Sequence, residues 1–233
     1  MIVVDDNTYN LHRQIDFLYP PRDGDPHITI IGCGGTGSFV TQMLATMGLT
    51  HLQVWDADVV EEHNIPNQAF LLEHIGMSKV DAMADIVKRK CGVDIEVKDE
   101  FFFDDSIIHH DGIVISAVDD IETRADIFKN LQTRSTNVSR FIDGRLGGEV
   151  YQVFNIDMLR KEDVEFYEST LFPKAEAERI ACTAQAIIYI ASAISADISR
   201  QVKETIVGGH LTRDSTIDHH MHLLTMNDHS MLY

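Results

Sequence analysis

The sequence contains little cysteine, and its few cysteines are widely separated. Cys33, Cys91 and Cys182 cannot form the disulfide framework of a small secreted domain, and no Cys-x-x-Cys pair is present to bind zinc. We therefore expect reduced thiols, no structural zinc and a cytoplasmic location. There is also no run of about 18 apolar residues, which argues against a membrane partner. The chain begins without a basic segment ahead of an apolar one, so we expect no secretory signal.

Positive charge is scarce as well. The 19 lysine and arginine residues face 37 aspartate and glutamate residues, which gives a formal net charge of −18. An acidic surface repels phosphate backbones at long range, so we expect no nucleic-acid partner. A nucleotide site in such a chain must create its own positive potential from backbone N–H groups, a helix N-terminus and a few basic side chains.

What the sequence does contain is a regular alternation of strand-like and helix-like segments. Predicted strands over 27–31, 52–55, 93–97, 112–118 and 140–143 are separated by amphipathic helices. This spacing is typical of βαβ units and predicts an α/β fold with a doubly wound, Rossmann-like, mainly parallel sheet. We expect one domain over residues 1–233, with an N-terminal helix and connector over 1–26 and the nucleotide-binding core over 27–147.

The pattern changes after residue 147. Residues 149–154 alternate between polar and apolar types, as an antiparallel strand does. We therefore expect antiparallel C-terminal strands over 148–233, a crossover loop over about 157–182 and a buried helix over about 183–203. In the tail, residues 216–225 form a further candidate strand, and His219, His220 and His222 fit an irregular tail better than a metal site.

A glycine-rich turn follows the first predicted strand. Gly32, Gly34 and Gly37 form the pattern G-x-G-x-x-G, with Gly35 between them. The first glycine permits a tight turn, the second lets phosphate approach the backbone, and the third allows close packing of helix on strand. Asp56 ends the next strand, where a carboxylate suits ribose hydroxyls. These features alone fit an NAD-dependent oxidoreductase as well as an ATP-binding enzyme.

Further residues follow the turn in a distinctive order. They run from Asp56-Ala57-Asp58 through Asn64 and Asn67-Gln68 to Gly76-Met77-Ser78-Lys79, and then to Asp119 after an apolar strand. This order resembles the ubiquitin-activating superfamily, the ThiF/MoeB/HesA-type adenylating enzymes, over residues 9–203. The resemblance implies ATP-dependent adenylation of the C-terminus of a small ubiquitin-like or sulfur-carrier protein. It also implies ATP and Mg²⁺ as cofactors and a homodimer.

The resemblance assigns a role to each of the charged residues in this set. Asp56 would hold the ribose, and Lys79 would neutralise phosphate charge and help the α-phosphate accept attack. Asp119 would position Mg²⁺, a hard cation that prefers oxygen ligands. Asp58 would assist the metal or order the turn. The alternative for Asp58 is an ordinary turn former, and for Lys79 a solvated residue in the first turn of a helix.

Two of the three amide residues, Asn64 and Gln68, match the family pattern, and the third, Asn67, departs from it. Asn64 and Gln68 would donate hydrogen bonds to phosphate oxygens or support the loop. Asn67 stands where the family has an arginine before the glutamine, so one cationic phosphate contact is missing. Either Arg13 or another cation such as Arg22 or Arg124 compensates, or phosphate handling is weakened. The second case favours a non-catalytic partner subunit of a heterodimeric activating enzyme.

Two residues outside the core complete the set that the resemblance implies. Residues 9–14 resemble the family's N-terminal helix, in which the arginine corresponding to Arg13 reaches the partner's ATP phosphates. Cys182 precedes the buried helix, where relatives carry a cysteine that receives the activated partner as a thioester. The alternatives are a surface arginine and a small buried residue. Cys33, inside the glycine turn, is expected to fill space.

Overall fold

The computed structural model describes residues 11–14, 18, 26–102, 112–133, 137–147, 149–171, 187–208, 212–218 and 223–228. The strands are β1 (His27–Ile31), β2 (Leu52–Trp55), β3 (Glu96–Lys98), β4 (Gly112–Ser116), β5 (Val138–Gly147), β6 (Val150–Asp157), β7 (Thr212–Asp218) and β8 (Leu223–Asp228). The α-helices are α1 (Gly35–Thr46), α2 (Lys79–Cys91), α3 (Ile121–Thr133), α4 (Lys161–Ser169) and α5 (Ile188–Val207). Short 3₁₀ helices cover His12–Gln14, Glu62–Asn64 and Leu72–His74.

The strands form one sheet in the order β3-β2-β1-β4-β5-β6-β7-β8. The pairs from β3 to β5 are parallel, and the pairs from β5 to β8 are antiparallel. This confirms the predicted doubly wound, mainly parallel sheet with antiparallel C-terminal strands. The strand order reverses between β1 and β4, and ligands of such sheets bind outside the carboxyl ends of the strands at that point.

Two layers of helices cover the sheet and define two apolar clusters. On one face, α1 and α2 bury residues such as Val40 and Met83 beside β1, β2 and β3, and α5 buries Ile198 against β5 and β6. On the other face, aromatic side chains of α3, α4 and the central strands pack together, including Phe128 and Tyr167, whose ring centroids lie 4.5 Å apart. Both faces of the parallel strands are therefore buried, which explains their nearly continuous apolar sequence.

Helix α2 illustrates how local sequence sets the element boundaries. Ser78 is its N-cap, and the Ser78 hydroxyl accepts a hydrogen bond from the Asp81 N–H at 3.2 Å, as the sequence predicts. The helix ends at Gly92, whose φ of +70° suits glycine. Val93 then packs into the core instead of starting a strand, so β3 begins at Glu96 and not at residue 93.

Two segments differ from the sequence-based expectation. The first part of the expected crossover loop, 157–182, completes β6 and then forms α4, which buries only Asp163 and Tyr167 and so gives a weak periodic signal. The tail forms β7 and β8, which pair with each other, instead of one strand over 216–225. Of the helix expected near residues 10–18, the described part is the single turn His12–Gln14.

Helix α5 accounts for the described part of the predicted buried helix. It runs from residue 188 to residue 207, and Ile194 and Ile198 lie so close to β5 that a Cβ on Gly144 would be 2.7 Å from Ile198 Cδ1. Among the helices that the structure describes, none combines the length and the apolar character that crossing a membrane requires.

Candidate functional site

The glycine turn joins β1 to α1 and is shaped by contacts of its own backbone. Gly32 has a φ of +94°, and a Cβ there would lie 2.8 Å from the carbonyl oxygen of Ala117. A Cβ on Gly37 would lie 1.8 Å from the carbonyl oxygen of Gly32. Gly34, by contrast, has no atom within 4 Å of the position that a Cβ would take. Two glycines therefore permit the turn, and the third faces open space.

The open side of the turn lies at the N-terminus of α1. Gly34 is the N-cap of this helix, and no side chain caps its first turn. The leading N–H groups of a helix lack intrahelical partners and carry a partial positive charge. Because no acidic residue lies in the first turn of α1, this end of the helix is suited to an anion such as phosphate.

Asp56 holds the glycine turn in place. One carboxylate oxygen accepts the Cys33 N–H at 2.7 Å, and the other accepts the Asp58 N–H at 2.9 Å. Each oxygen keeps a further lone pair, so these bonds leave Asp56 able to accept from a ligand hydroxyl. The sequence predicts a ribose contact for this residue, and the structure adds that it ties the second strand to the turn.

Lys79 is buried beside these carboxylates. Its ammonium group lies 2.7 Å from Asp58 and 3.9 Å from Asp56, and its side chain is 9% exposed. The position follows from the fold, because Lys79 opens α2 and its N–H donates to the carbonyl of Asp58 at 2.9 Å. A lysine held in this way is not the solvated helix residue that the sequence left open.

The amide residues line the segment between β2 and α2. Asn64 is buried, and its side-chain oxygen accepts the Glu61 N–H at 2.8 Å, so it supports the loop. The side-chain oxygens of Asn67 and Gln68 are buried and have no hydrogen-bond partner among the described residues. The carbonyl oxygen of Asn67 would lie 3.3 Å from a Cβ on Gly35, which places this segment against the start of α1.

Asp119 lies on the loop between β4 and α3, at the edge of the sheet where the glycine turn is found. The Ala117 N–H donates to the carbonyl of Ile31 at 2.8 Å, and the Asp120 carboxylate accepts the Thr123 N–H at 2.9 Å at the start of α3. Asp119 between them is exposed, and its carboxylate makes no ion pair with any residue in the described ranges. Carboxylate oxygens are suitable ligands for Mg²⁺.

A buried ionic network beneath this loop was missed at the sequence level. Asp143 is fully buried and pairs with Arg124 and with Arg145, the latter at 2.7 Å, and it accepts the Tyr167 hydroxyl at 3.0 Å. Burial alone would raise the pKa of Asp143, but the two guanidinium groups outweigh it and hold the pKa below its usual value. Its trace in the sequence is the pair of charged residues in Asp143-Gly144-Arg145, which lies within strand β5.

Arg124 cannot replace the family's missing arginine. Besides Asp143, its guanidinium donates to the carbonyl oxygens of Gly144, at 3.0 Å, and of Val118. These three partners hold its guanidinium within the protein interior. Arg22, the other cation that the sequence offered, lies outside the described residues, as do Cys182 and the three histidines of the tail.

Arg13 lies far from the glycine turn of its own chain. It is exposed, and the neighbouring Gln14 amide donates to the carbonyl of Met47 at 2.8 Å, at the C-terminal end of α1. Helix α1 has 12 residues and is therefore about 18 Å long. Its N-terminus lies at the glycine turn, so Arg13 lies near the opposite end of the helix.

Cys33, inside the turn, is fully buried, and burial together with Asp56 raises the pKa of its thiol.

Glu73, His74 and Asp85 form a second cluster of candidate metal ligands. Its geometry is better explained by internal contacts. His74 Nδ1 accepts the Leu71 N–H at 3.1 Å, and Nε2 lies 3.1 Å from Asp85. Arg89 pairs with both Glu73 and Asp85, so one cationic side chain already bridges the two carboxylates. The cluster fastens the 71–76 segment to α2.

A model of the ThiF family matches residues 24–226. The tRNA threonylcarbamoyladenosine dehydratase of Escherichia coli (strain K12) is 27% identical over 134 residues, covering 54% of this chain and 48% of that protein. Ubiquitin-like modifier-activating enzyme 5 of Drosophila grimshawi is 30% identical over 162 residues, covering 61% and 40%. The chain thus spans less than half the length of these relatives.

Solved structures share the fold. The crystal structure of PaaA matches with a TM-score of 0.69 at 20% sequence identity, covering 87% of this chain and 64% of that chain. The structure of E. coli MccB with AMPCPP and MccA matches with a TM-score of 0.67 at 14% identity, covering 87% and 63%. At these identities the likeness establishes a common fold and nothing about substrates.

Proposed function

Because this chain belongs to the ThiF family, we propose that it adenylates the C-terminal carboxylate of a small ubiquitin-like or sulfur-carrier protein, using ATP. The observation that carries the proposal is the buried ammonium group of Lys79 beside Asp56 and Asp58. An NAD-dependent oxidoreductase needs a carboxylate at this position to bind the ribose, and Asp56 meets that need. An enzyme that reacts at a phosphate needs in addition a cation that stabilises the charge developing on the phosphate oxygens, and Lys79 is such a cation.

The proposed reaction is an attack of the carrier's terminal carboxylate oxygen on the α-phosphorus of ATP. A carboxylate–phosphorus bond forms, the bond from the α-phosphorus to the bridging oxygen breaks, and pyrophosphate leaves. Lys79 would stabilise charge on the α-phosphate, Asp56 would hold the ribose and Gln68 would donate to phosphate. Asp119 is the residue that would hold Mg²⁺, which when bound supplies positive charge to the phosphates. Most of the rate enhancement would come from positioning.

We propose a protein substrate in preference to RNA on the basis of charge. One relative is named for a tRNA modification and another for activation of a ubiquitin-like modifier, so the relatives' names allow both. The net charge of −18 opposes binding of a phosphate backbone. A single terminal carboxylate that is neutralised at the site meets far less long-range repulsion than a tRNA does.

We also propose a homodimer in which Arg13 acts on the partner's site. Arg13 lies near the C-terminal end of α1, about 18 Å from the glycine turn at the other end of this 12-residue helix. An extended arginine side chain cannot cover that distance, so it cannot reach phosphates bound at its own turn. A second copy would have to bring its Arg13 to the site, where a guanidinium stabilises phosphate charge.

Cys182 is the proposed acceptor in a second step. Its thiolate would attack the acyl carbon of the adenylate, so that a carbon–sulfur bond forms and AMP leaves. This assignment rests on the place of Cys182 in the sequence, shortly before α5. A Cys182→Ser variant would form a more stable ester with the carrier and would trap it in a pulldown with ATP.

The test is exchange of labelled pyrophosphate into ATP in the presence of small carrier proteins that end in glycine. We expect exchange with the cognate carrier and at least a hundredfold loss for Lys79→Ala, since one group that stabilises transition-state charge contributes about 100- to 1,000-fold. Lys90→Ala is a matched control, because Lys90 is an exposed lysine at the far end of the same helix. It should retain wild-type exchange.

Three outcomes would contradict the proposal. Equal exchange by Lys79→Ala and wild type would remove Lys79 from the reaction. Binding of NADH in place of MgATP in a fluorescence titration would favour the oxidoreductase. Binding of a carrier protein without ATP binding or exchange would identify a non-catalytic partner subunit, the outcome that Asn67 favours.

A further inference from the structure

The buried pair of Arg124 and Asp143 lies beneath the loop that carries Asp119. We propose that Arg124 is a positioning residue: its guanidinium, held by Asp143, fixes the carbonyl of Val118 and thereby the backbone that presents the Asp119 carboxylate beside the glycine turn. The proposal deepens the adenylation proposal and rests on it for the role of Asp119 as the Mg²⁺ ligand. The contacts of the loop carry the argument.

The loop of residues 117–120 is fixed at both ends by the main sheet and by α3. Ala117 donates to Ile31 at 2.8 Å at the end of β1, and Asp120 caps the first turn of α3 through Thr123. Between these two points, the Arg124 guanidinium donates a hydrogen bond to the carbonyl of Val118. Arg124 therefore restrains the one peptide unit that leads directly into Asp119.

The position of Arg124 is in turn determined by β5. Its side chain is 7% exposed and pairs with Asp143, whose side chain is fully buried. The Gly144 carbonyl accepts a second bond from the same guanidinium at 3.0 Å. A buried charge with three fixed partners has little freedom to move, so the Val118 carbonyl is held at a set place relative to the sheet.

Arg145 offers a matched comparison on the same carboxylate. It pairs with Asp143 at 2.7 Å, but its other donors bond to Thr170 at 3.1 and 3.0 Å, at the end of α4. Removal of either arginine leaves Asp143 with the other arginine and with the Tyr167 hydroxyl, so neither variant strands an unpaired carboxylate. The hydrogen bonds described for Arg145 lead to Asp143 and Thr170, whereas one of those from Arg124 leads to Val118 in the Asp119 loop.

The experiment measures the Mg²⁺ dependence of ATP binding through the fluorescence of Trp55, which directly precedes Asp56 and is the single tryptophan. For Arg124→Gln we expect the Mg²⁺ concentration at half-saturation to rise about tenfold, the lower end of the 10- to 100-fold effects of residues that orient metal ligands. Arg145→Gln should stay within about twofold of wild type. Arg124→Lys keeps a charge and a donor and should recover most of the wild-type behaviour.

A second readout does not depend on any ligand. Hydrogen–deuterium exchange of the peptide that covers residues 117–120 should be faster in Arg124→Gln than in wild type and unchanged in Arg145→Gln. Equal shifts in Mg²⁺ dependence for both glutamine variants, or no shift for either, would overturn the positioning role. If the wild type binds no ATP, the adenylation proposal fails. The comparison of hydrogen–deuterium exchange between the variants then decides alone whether Arg124 holds the loop.

Discussion

The glycines of the turn differ in what a side chain would meet, and this difference separates folding from ligand binding. A Cβ on Gly37 would lie 1.8 Å from the carbonyl oxygen of Gly32, a backbone atom that cannot rotate away. A Cβ on Gly34 would have no atom within 4 Å, although the φ of −83° and ψ of −145° of Gly34 lie outside the α and β regions that alanine favours. Gly37→Ala should therefore damage the fold, and Gly34→Ala should damage phosphate binding.

The magnitudes follow from the contacts. Gly37→Ala requires the turn to open by roughly 1.5 Å before ordinary contact distances are restored, and overpacking of this kind costs about 1–3 kcal/mol. We expect the upper value because backbone must move. In a chain of 233 residues, each kcal/mol lowers Tm by about 2–4 °C, so the fall should be about 6–12 °C. Gly34→Ala displaces no atom, and a backbone strain of about 1 kcal/mol should lower its Tm by only about 2–4 °C.

The assay pairs thermal unfolding with a MgATP titration followed by Trp55 fluorescence. Gly34→Ala should bind MgATP at least about tenfold more weakly, because its methyl group takes the place where a phosphate oxygen approaches the helix N-terminus. A Gly34→Ala protein with wild-type affinity would refute the assignment of the open side of the turn as the phosphate site. An unchanged Tm for Gly37→Ala would refute the steric reasoning.

Three further predictions follow from the same geometry. The thiol of Cys33 should resist iodoacetamide at pH 8 until the protein is unfolded, because burial raises its pKa and keeps it protonated; peptide mapping that finds it alkylated in the native state would contradict this. Asn67→Arg should tighten MgATP binding roughly tenfold by adding a cation beside the turn, measured by the same titration, and weaker binding would contradict it. Mixed Arg13→Ala and Lys79→Ala proteins should regain up to about a quarter of wild-type exchange if Arg13 acts across a dimer, and no recovery would place it elsewhere.

The parallel core could be predicted because its signals are local. Each buried strand is a short apolar run, Gly92 and Ser78 mark the ends of α2, and the glycine turn stands between a strand and a helix. Residues that end adjacent parallel strands meet at one edge of the sheet, so the approach of Asp56 to the turn was implied by the order of elements.

The buried network was not predictable in the same way. Arg124 and Asp143 are 19 positions apart in sequence, and Tyr167 follows 24 positions later. Nothing in the spacing says that an arginine in a helix turns inward to meet a carboxylate in the middle of a strand. Helix α4 was missed for a related reason, since two buried positions among nine residues give no clear period.

The same contacts explain why metal dependence is the informative property of this site. Among the residues that the structure describes, Lys79 is the cation that pairs with the carboxylates beside the turn, and it is shared between Asp56 and Asp58. Asp119 adds a third carboxylate on the adjacent loop. Carboxylates therefore outnumber ammonium groups around the turn, and the surrounding chain is strongly acidic. The helix N-terminus offsets only about half a unit of charge. ATP phosphates brought to this place without a divalent cation would meet net repulsion, so binding should depend on Mg²⁺ far more steeply than in a site lined by arginines.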